Sequence, residues 1–274
     1  MPGKYLDRLR EKSPLIHNIT NYVTVNDCAN ILIAVGGSPI MSDDAREVEE
    51  ITSICSGLNI NIGTLNQRTI PSMLLAGARA NALGHPVILD PVGAGASRLR
   101  TETAFRLLEK IKFSVIRGNV SEIKTLALGN GTTKGVDADV ADAITDENLD
   151  EFISFAGAFS KKTGAVIAIT GAIDLVSDGN RSFIIRNGHP MLAKITGSGC
   201  MLTAMTAAFI AANPNDILEA TAAAVCAMGL CGELAFEKAE KLGVGNSSFR
   251  NLLIDEVFLL RGEALNRGAK YELR

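Results

Sequence analysis

Short apolar runs separated by stretches of helical periodicity dominate the first two thirds of this chain, and that alternation restricts its fold more than any other feature. The runs are 37–41 (GSPIM), 58–62 (LNINI), 86–90 (PVILD), 114–117 (SVIR) and 165–170 (AVIAIT). Helices are expected between them over 23–35, 46–56, 69–83 and 101–110, the first three stopped by Gly36, Gly57 and Gly84, as glycine commonly does. Short strands that are apolar almost throughout are covered on both faces, and strands that each feed a helix pair in parallel. The expectation is an α/β three-layer sandwich: a mostly parallel central sheet flanked by helices. A hairpin is expected over 174–185 around Asp178-Gly179-Asn180. Beyond Gly199 the chain reads as helical third: 200–212, 216–242 and 251–266, with Asn213-Pro214 as the break. A short extended stretch, 192–196, leads into the first of these. The segment 129–146 is polar, glycine-containing and the least defined. With no linker or repeat, one domain over 1–274 is expected.

Composition narrows the function classes. The chain of 274 residues is 47% hydrophobic and 21% charged, with net charge −3 and no Trp. That is ample for a large core, and nothing in it suits nucleic acid or an anionic membrane surface. The five cysteines (28, 55, 200, 226 and 231) are odd in number and without CxxC spacing, which argues against a disulfide framework or a zinc site. Cys226 and Cys231 are not spaced to share a helix face. The opening residues are charged and amphipathic, and no run reads as a membrane span. A cytoplasmic protein is expected.

Chemistry concentrates at the ends of the expected strands. Gly197-Ser198-Gly199-Cys200 opens an apolar helix. Glycines at a helix mouth let backbone N–H groups converge on one spot, and the helix dipole makes that spot an anion site. Cys200 closes the turn, where a lowered thiol pKa is expected; a tight turn with a buried Cys is an equally open reading. Asp90 ends a central strand and leads into Pro91-Val92-Gly93-Ala94-Gly95, where a carboxylate could meet a cation. Arg117 ends the next strand and could hold a phosphate. Glu122 falls in the first turn of the following helix, where negative charge is favoured regardless. Thr170-Gly171 ends another strand and could meet a nucleotide phosphate, but by spacing alone an ordinary hairpin is the favoured reading. His17 reads as a structural strand-end histidine, with His85 and His189 in loops. Met41 reads as core or as a flexible contact to an apolar ligand. There is no GxxxxGK[ST] and no protein-kinase motif set, so any use of ATP is on another fold.

The segments HNITNYVTVNDCAN, GGSPIMSDDAREVEE, LNINIGTLN, VILDPVGAGAS, IRGNVSEI, ITGAIDLVSDG and ITGSGCMLTA occur in order from about residue 14 to about residue 212. Together they make the chain resemble the hydroxyethylthiazole kinases, a thiamine-salvage family of the ribokinase-like superfamily. The resemblance implies ATP-dependent phosphorylation of 4-methyl-5-(2-hydroxyethyl)thiazole, with Mg²⁺. It implies Cys200 as the catalytic proton acceptor, at the position where the wider superfamily carries Asp in a GxGD turn. Gly197, Ser198, Gly199 and Cys200 would form the anion hole. Arg117 and Thr170 match ATP-binding positions; Met41 and Gly197 match thiazole-binding positions, with Asn21 and Val23 as neighbours. Asp90 and Glu122 would organise Mg²⁺. The resemblance also implies a homotrimer with active sites between subunits. A pyrimidine-alcohol kinase, a nucleotide-dependent dehydratase and a thiazole-sensing pseudokinase stay open as alternatives.

Overall fold

The computed structural model describes residues 1–129 and 143–274; most of the segment 129–146 therefore lies outside the described residues. In chain order the first half runs α1 (Gly3–Lys12), β1 (Leu15–Ile19), α2 (Val25–Val35), β2 (Ser38–Met41), α3 (Val48–Ile54), β3 (Gly57–Asn61), α4 (Thr69–Leu83), β4 (Val87–Asp90), α5 (Arg98–Lys110), β5 (Val115–Gly118) and α6 (Val120–Leu128). The second half runs α7 (Leu149–Thr163), β6 (Val166–Ile169), β7 (Asp174–Ser177), β8 (Ser182–Ile185), α8 (Ser198–Ala212), α9 (Ile217–Leu242), α10 (Asn246–Leu259), α11 (Gly262–Gly268) and β9 (Tyr271–Leu273).

All these strands form one sheet in the order β2-β1-β3-β4-β5-β6-β7-β8-β9. β2 to β6 are parallel and β7 to β9 antiparallel. The expected parallel sheet, helical cover and hairpin are all present. From β1 the chain winds outward to β2 on one side and through β3 to β6 on the other. Such a reversal opens a crevice beyond the carboxyl ends of the strands, where ligands of open α/β sheets bind.

Alternation along each strand divides the interior into two cores. Leu58, Ile60, Val87, Leu89, Ile116, Ile167 and Ile169 pack against α3 to α7. Ile16, Ile88, Val115, Val166 and Ala168 pack against α1, α2, α8, α9 and α10. α8 is enclosed on nearly every side, which its all-round apolar sequence requires. By the same alternation Asn59, Asn61, Asp90, Arg117 and Thr170 project to the α8 side. That parity puts the polar strand-end residues on one face.

Three expectations need correction and one strand is added. Residues 190–194 form a 3-10 turn and not an extended stretch; Pro190 sets its first position, and the His189 ring accepts from the Met191 N–H. The last helix is two helices. Leu260 and Arg261 between them are extended, and the Arg10 guanidinium donates to the carbonyls of Val257, Phe258 and Leu260, satisfying the groups that a helix end leaves open. A strand not expected from the sequence, β9, pairs with β8; it is only three residues long, and its Tyr271 and Leu273 are exposed. Finally, α9 is long and apolar enough to cross a membrane, yet 78% of its apolar window is buried inside the protein. It is packed as a core helix, where uniform hydropathy serves two neighbouring layers.

Candidate active site

The chemistry-bearing residues converge where the carboxyl ends of β3, β4, β5 and β6 meet the first turn of α8. Two glycines make the approach possible. Gly197 has φ +82°, and a Cβ there would lie 2.1 Å from Thr24. A Cβ on Gly199 would lie 2.5 Å from the Arg117 guanidinium. Helical bonding in α8 starts with the Met201 N–H on the Gly197 carbonyl, so the N–H groups of Ser198, Gly199 and Cys200 have no acceptor within the helix.

Asp90 is fully buried. Its Oδ2 accepts from Asn61 Nδ2 at 2.8 Å and from the Thr203 hydroxyl at 2.8 Å. Arg117 Nη1 lies 3.9 Å from the same oxygen, and Arg117 Nη2 donates to the Thr170 hydroxyl. Each of these two charged residues keeps one buried polar atom without a hydrogen-bond partner among the described residues: Asp90 Oδ1 and Arg117 Nε. An unmet acceptor and an unmet donor on neighbouring strands are expensive unless a ligand meets them. Burial pushes the Asp90 carboxyl up, and the Arg117 charge and two hydrogen bonds pull it back.

Cys200 is held in a network in which both neighbouring amides, Asn21 and Asn61, are oriented by their partners. Asn21 Oδ1 accepts from the Thr24 N–H and hydroxyl, so Asn21 Nδ2 faces Asn61 Oδ1 at 3.1 Å and Cys200 Sγ at 3.2 Å. Asn61 Oδ1 also accepts from the Gly63 N–H, so Asn61 Nδ2 faces Asp90 and Cys200 Sγ, the latter at 3.3 Å. One sulfur thus accepts two amide hydrogens. Burial, with the negative charge of Asp90 second, pushes the Cys200 thiol up. The expectation of a lowered thiol pKa at the helix mouth is therefore corrected: burial and the Asp90 charge raise it.

Glu122 closes a capping box on α6, with Oε2 accepting from the Asn119 N–H at 2.8 Å. Its Oε1 accepts from the Gly93 N–H at 2.9 Å, which fastens the loop after Asp90. Burial and then Asp90 push Glu122 up to about 7. Met41 ends the edge strand β2, opposite Asn18 in register, and packs half-buried on the α8 core. Val23 is exposed beside Tyr22 on the loop before α2, at the edge of the cluster and not within it.

Arg117, Thr170, Ser198 and Gly199 open into a cavity of about 550 Å³. It continues between Asp174, Asn187, His189 and Leu192 to Val225 and Met228 on α9. Asp174 accepts from the Gly171 N–H at 2.9 Å, and burial pushes it up to about 7. A carboxyl that keeps its proton better folded than unfolded stabilises the fold below its unfolded pKa, and that stability is lost as pH rises through about 7. Asp174→Asn keeps the acceptor and removes the titration. The variant is expected to be more stable than the parent at pH 8, on the order of 2 kcal/mol, and the gap should close by pH 4. Urea unfolding at the two pH values checks this; a variant less stable at pH 8 would refute it.

Asn61, Thr203, Thr24 and Asp174 were not singled out from the sequence as site residues. A signal existed for the first: Asn59 and Asn61 alternate with Leu58 and Ile60 in an otherwise apolar strand. Thr203 lies one helical turn beyond Gly199, on the same face of α8.

Sheet, crevice and glycine turn together define a ribokinase-like small-molecule kinase. Pyridoxal kinase from Staphylococcus aureus, solved with pyridoxal, shares this fold at TM-score 0.55 and 17% identity, over 77% of this chain and 84% of that one. The chain belongs to the hydroxyethylthiazole kinase family, whose model matches residues 6–263. It is 66% identical to the hydroxyethylthiazole kinase of Clostridium acetobutylicum over 97% of both chains. It is 51% identical to that of Clostridium tetani, over 96% of this chain and 94% of the relative. The solved hydroxyethylthiazole kinase of Pyrococcus horikoshii OT3 superposes with TM-score 0.88 at 35% identity, covering 100% of this chain and 98% of that one.

Proposed function

We propose that this chain, acting as one domain, transfers the γ-phosphoryl group of ATP to the hydroxyl of 4-methyl-5-(2-hydroxyethyl)thiazole in thiamine salvage. One observation carries the reading. Asp90 Oδ1 and Arg117 Nε are buried without partners, next to the open first turn of α8 and a cavity about 550 Å³ in volume. A cation and a phosphoryl group meet those needs together.

Arg117 and the N–H groups of Ser198, Gly199 and Cys200 would hold the phosphoryl oxygens as charge develops, the main requirement of a loose phosphoryl-transfer transition state. Thr170 orients Arg117. Asp90 would hold Mg²⁺ with Glu122 near it, since the orphaned carboxylate oxygen is a hard donor. No group of three or more His, Cys, Asp or Glu side chains suits a metal among the described residues, which fits an ion held by one or two carboxylates and substrate phosphates. When bound, Mg²⁺ supplies charge neutralisation to the phosphates. Gly197, Asn21 and Met41 would border the thiazole alcohol. A homotrimer with its active sites between subunits follows from the family resemblance, and the exposed Tyr22 and Val23 leave an apolar surface that a neighbouring subunit would cover. Five unpaired cysteines support the cytoplasm.

Cys200 would take the hydroxyl proton, but late. Only the thiolate can accept that proton: the two amide hydrogens on the sulfur favour this form, while burial raises the thiol pKa and keeps its share small. Its contribution is therefore expected to be modest, about 10²-fold in kcat. Cys200→Ala should retain measurable activity. Cys200→Asp should remain active, because a carboxylate can accept the same hydrogens from Asn21 and Asn61. An inactive but folded Asp variant that still binds substrate would contradict the assignment.

The deciding experiment measures ADP formation with Mg²⁺, with and without the thiazole alcohol and with a pyrimidine alcohol as competitor. Turnover that depends on the thiazole alcohol supports the proposal. Tight thiazole binding without phosphate transfer would point to a sensor instead.

A further inference from the structure

His17 lies on β1 between two residues of the α8 face, Ile16 and Asn18, and so projects to the opposite side of the sheet. There it is wholly buried. Its Nε2 is 2.9 Å from the Ser42 carbonyl oxygen, and its Nδ1 is 2.9 Å from the Thr52 hydroxyl. A carbonyl only accepts, so Nε2 carries a hydrogen. Burial lowers the His17 pKa, which leaves the ring neutral and Nδ1 an acceptor. The Thr52 hydroxyl donates to the Val48 carbonyl at 2.6 Å, and its oxygen lies against Nδ1. The ring, with Nε2 as the donor to Ser42, spans β1, α3 and Ser42.

Ser42 is where this matters. The last residue pair of the β1–β2 ladder is Asn18 with Met41, so Ser42 lies just beyond the ladder. Its backbone there depends on the His17 bond, and its hydroxyl donates to Glu47 Oε1 at 2.6 Å. Met41 is the last residue of the ladder and the immediate chain neighbour of this anchor. We infer that His17 is a positioning residue for the alcohol substrate: from the far side of the sheet it fixes Met41 by holding the Ser42 carbonyl. The inference rests on the proposed thiazole-alcohol phosphorylation and on Met41 bordering the thiazole.

Without the Nε2 donor, the Ser42 carbonyl is a buried acceptor with no partner, and the chain after Met41 must shift to satisfy it. A binding-competent arrangement that is populated only part of the time raises the apparent KM in proportion. His17→Asn places its amide near the Nδ1 position and loses the Ser42 bond. His17→Gln reaches the Nε2 position and keeps it. The Asn variant should raise KM for the thiazole alcohol about tenfold, with KM for ATP within about twofold and kcat little changed. The Gln variant should restore most of the loss. Equal rises in both KM values, or a Gln variant as impaired as the Asn one, would overturn the inference. If the Asn variant does not fold, Thr52→Val, which removes the polar contact that holds the ring at Nδ1, should raise KM for the alcohol alone about threefold; an unchanged KM would likewise overturn it. A wild-type protein with no thiazole-dependent ADP formation would instead remove the functional reading, which keeps the two failures distinct.

Discussion

Replacing Arg117 with Leu should lower kcat/KM for ATP by about 10³-fold or more, the scale of losing an arginine at a phosphoryl-transfer centre. The side chain meets several requirements at once. Its Nη2 donates to Thr170, its Nη1 offsets the buried Asp90 at 3.9 Å, and its unpartnered Nε is available to a phosphate oxygen. Gly199 is small so that the guanidinium can lie against the mouth of α8. Arg117→Lys should recover only part of the loss, since an ammonium keeps the charge but not the planar fork. Steady-state kinetics with ATP varied at saturating thiazole alcohol gives the comparison. A Leu variant keeping more than about a tenth of wild-type kcat/KM would show that Arg117 is not at the phosphates. The Leu variant should also unfold more easily, because Asp90 then loses its counter-charge in the interior.

Asp90→Asn separates catalysis from stability in the opposite sense. Asn can keep an oxygen for Asn61 and Thr203, but its amide hydrogens would replace the orphaned Oδ1 with a donor. A donor there cannot hold a cation, so kcat at saturating ATP should fall about 10³-fold. The fold should be as stable as the parent or more so, because burial already opposes charge at this position and the substitution removes a buried carboxyl. Thermal unfolding without Mg²⁺, alongside kinetics across a Mg²⁺ titration, tests both parts. Near-normal kcat with an unchanged Mg²⁺ dependence would exclude Asp90 as the cation's ligand.

Much of this was legible in the sequence, for a physical reason. Asp90, Arg117 and Thr170 each end an apolar strand, and parallel strands deliver their carboxyl ends to one edge whatever the order of the sheet. Gly197 and Gly199 announce a backbone approach that other residues could not make. The order of the strands, the shared bond of Asn21 and Asn61 to one sulfur, and the reach of His17 to Ser42 could not be read locally. They join residues distant in sequence, and neither period nor turn chemistry encodes a pair. The Cys200 pKa was misjudged for a related reason. A helix dipole is visible in sequence, whereas enclosure of the thiol depends on what packs over it. The break at Leu260 was missed because the carbonyls freed there are met by Arg10, from the other end of the chain.

The alternation that sends Asn59, Asn61, Asp90, Arg117 and Thr170 to the α8 side has a consequence for descent. Gain or loss of one codon inside β3, β4 or β5 would turn the residues beyond it to the opposite core, exchanging charged groups for aliphatic ones across the sheet. Length change is thus barred from these strands while point substitution is not. Lineages carrying this fold should diverge in reading-frame length only in the connections, so that new substrates arise by reshaping the rim around an edge whose spacing is inherited intact.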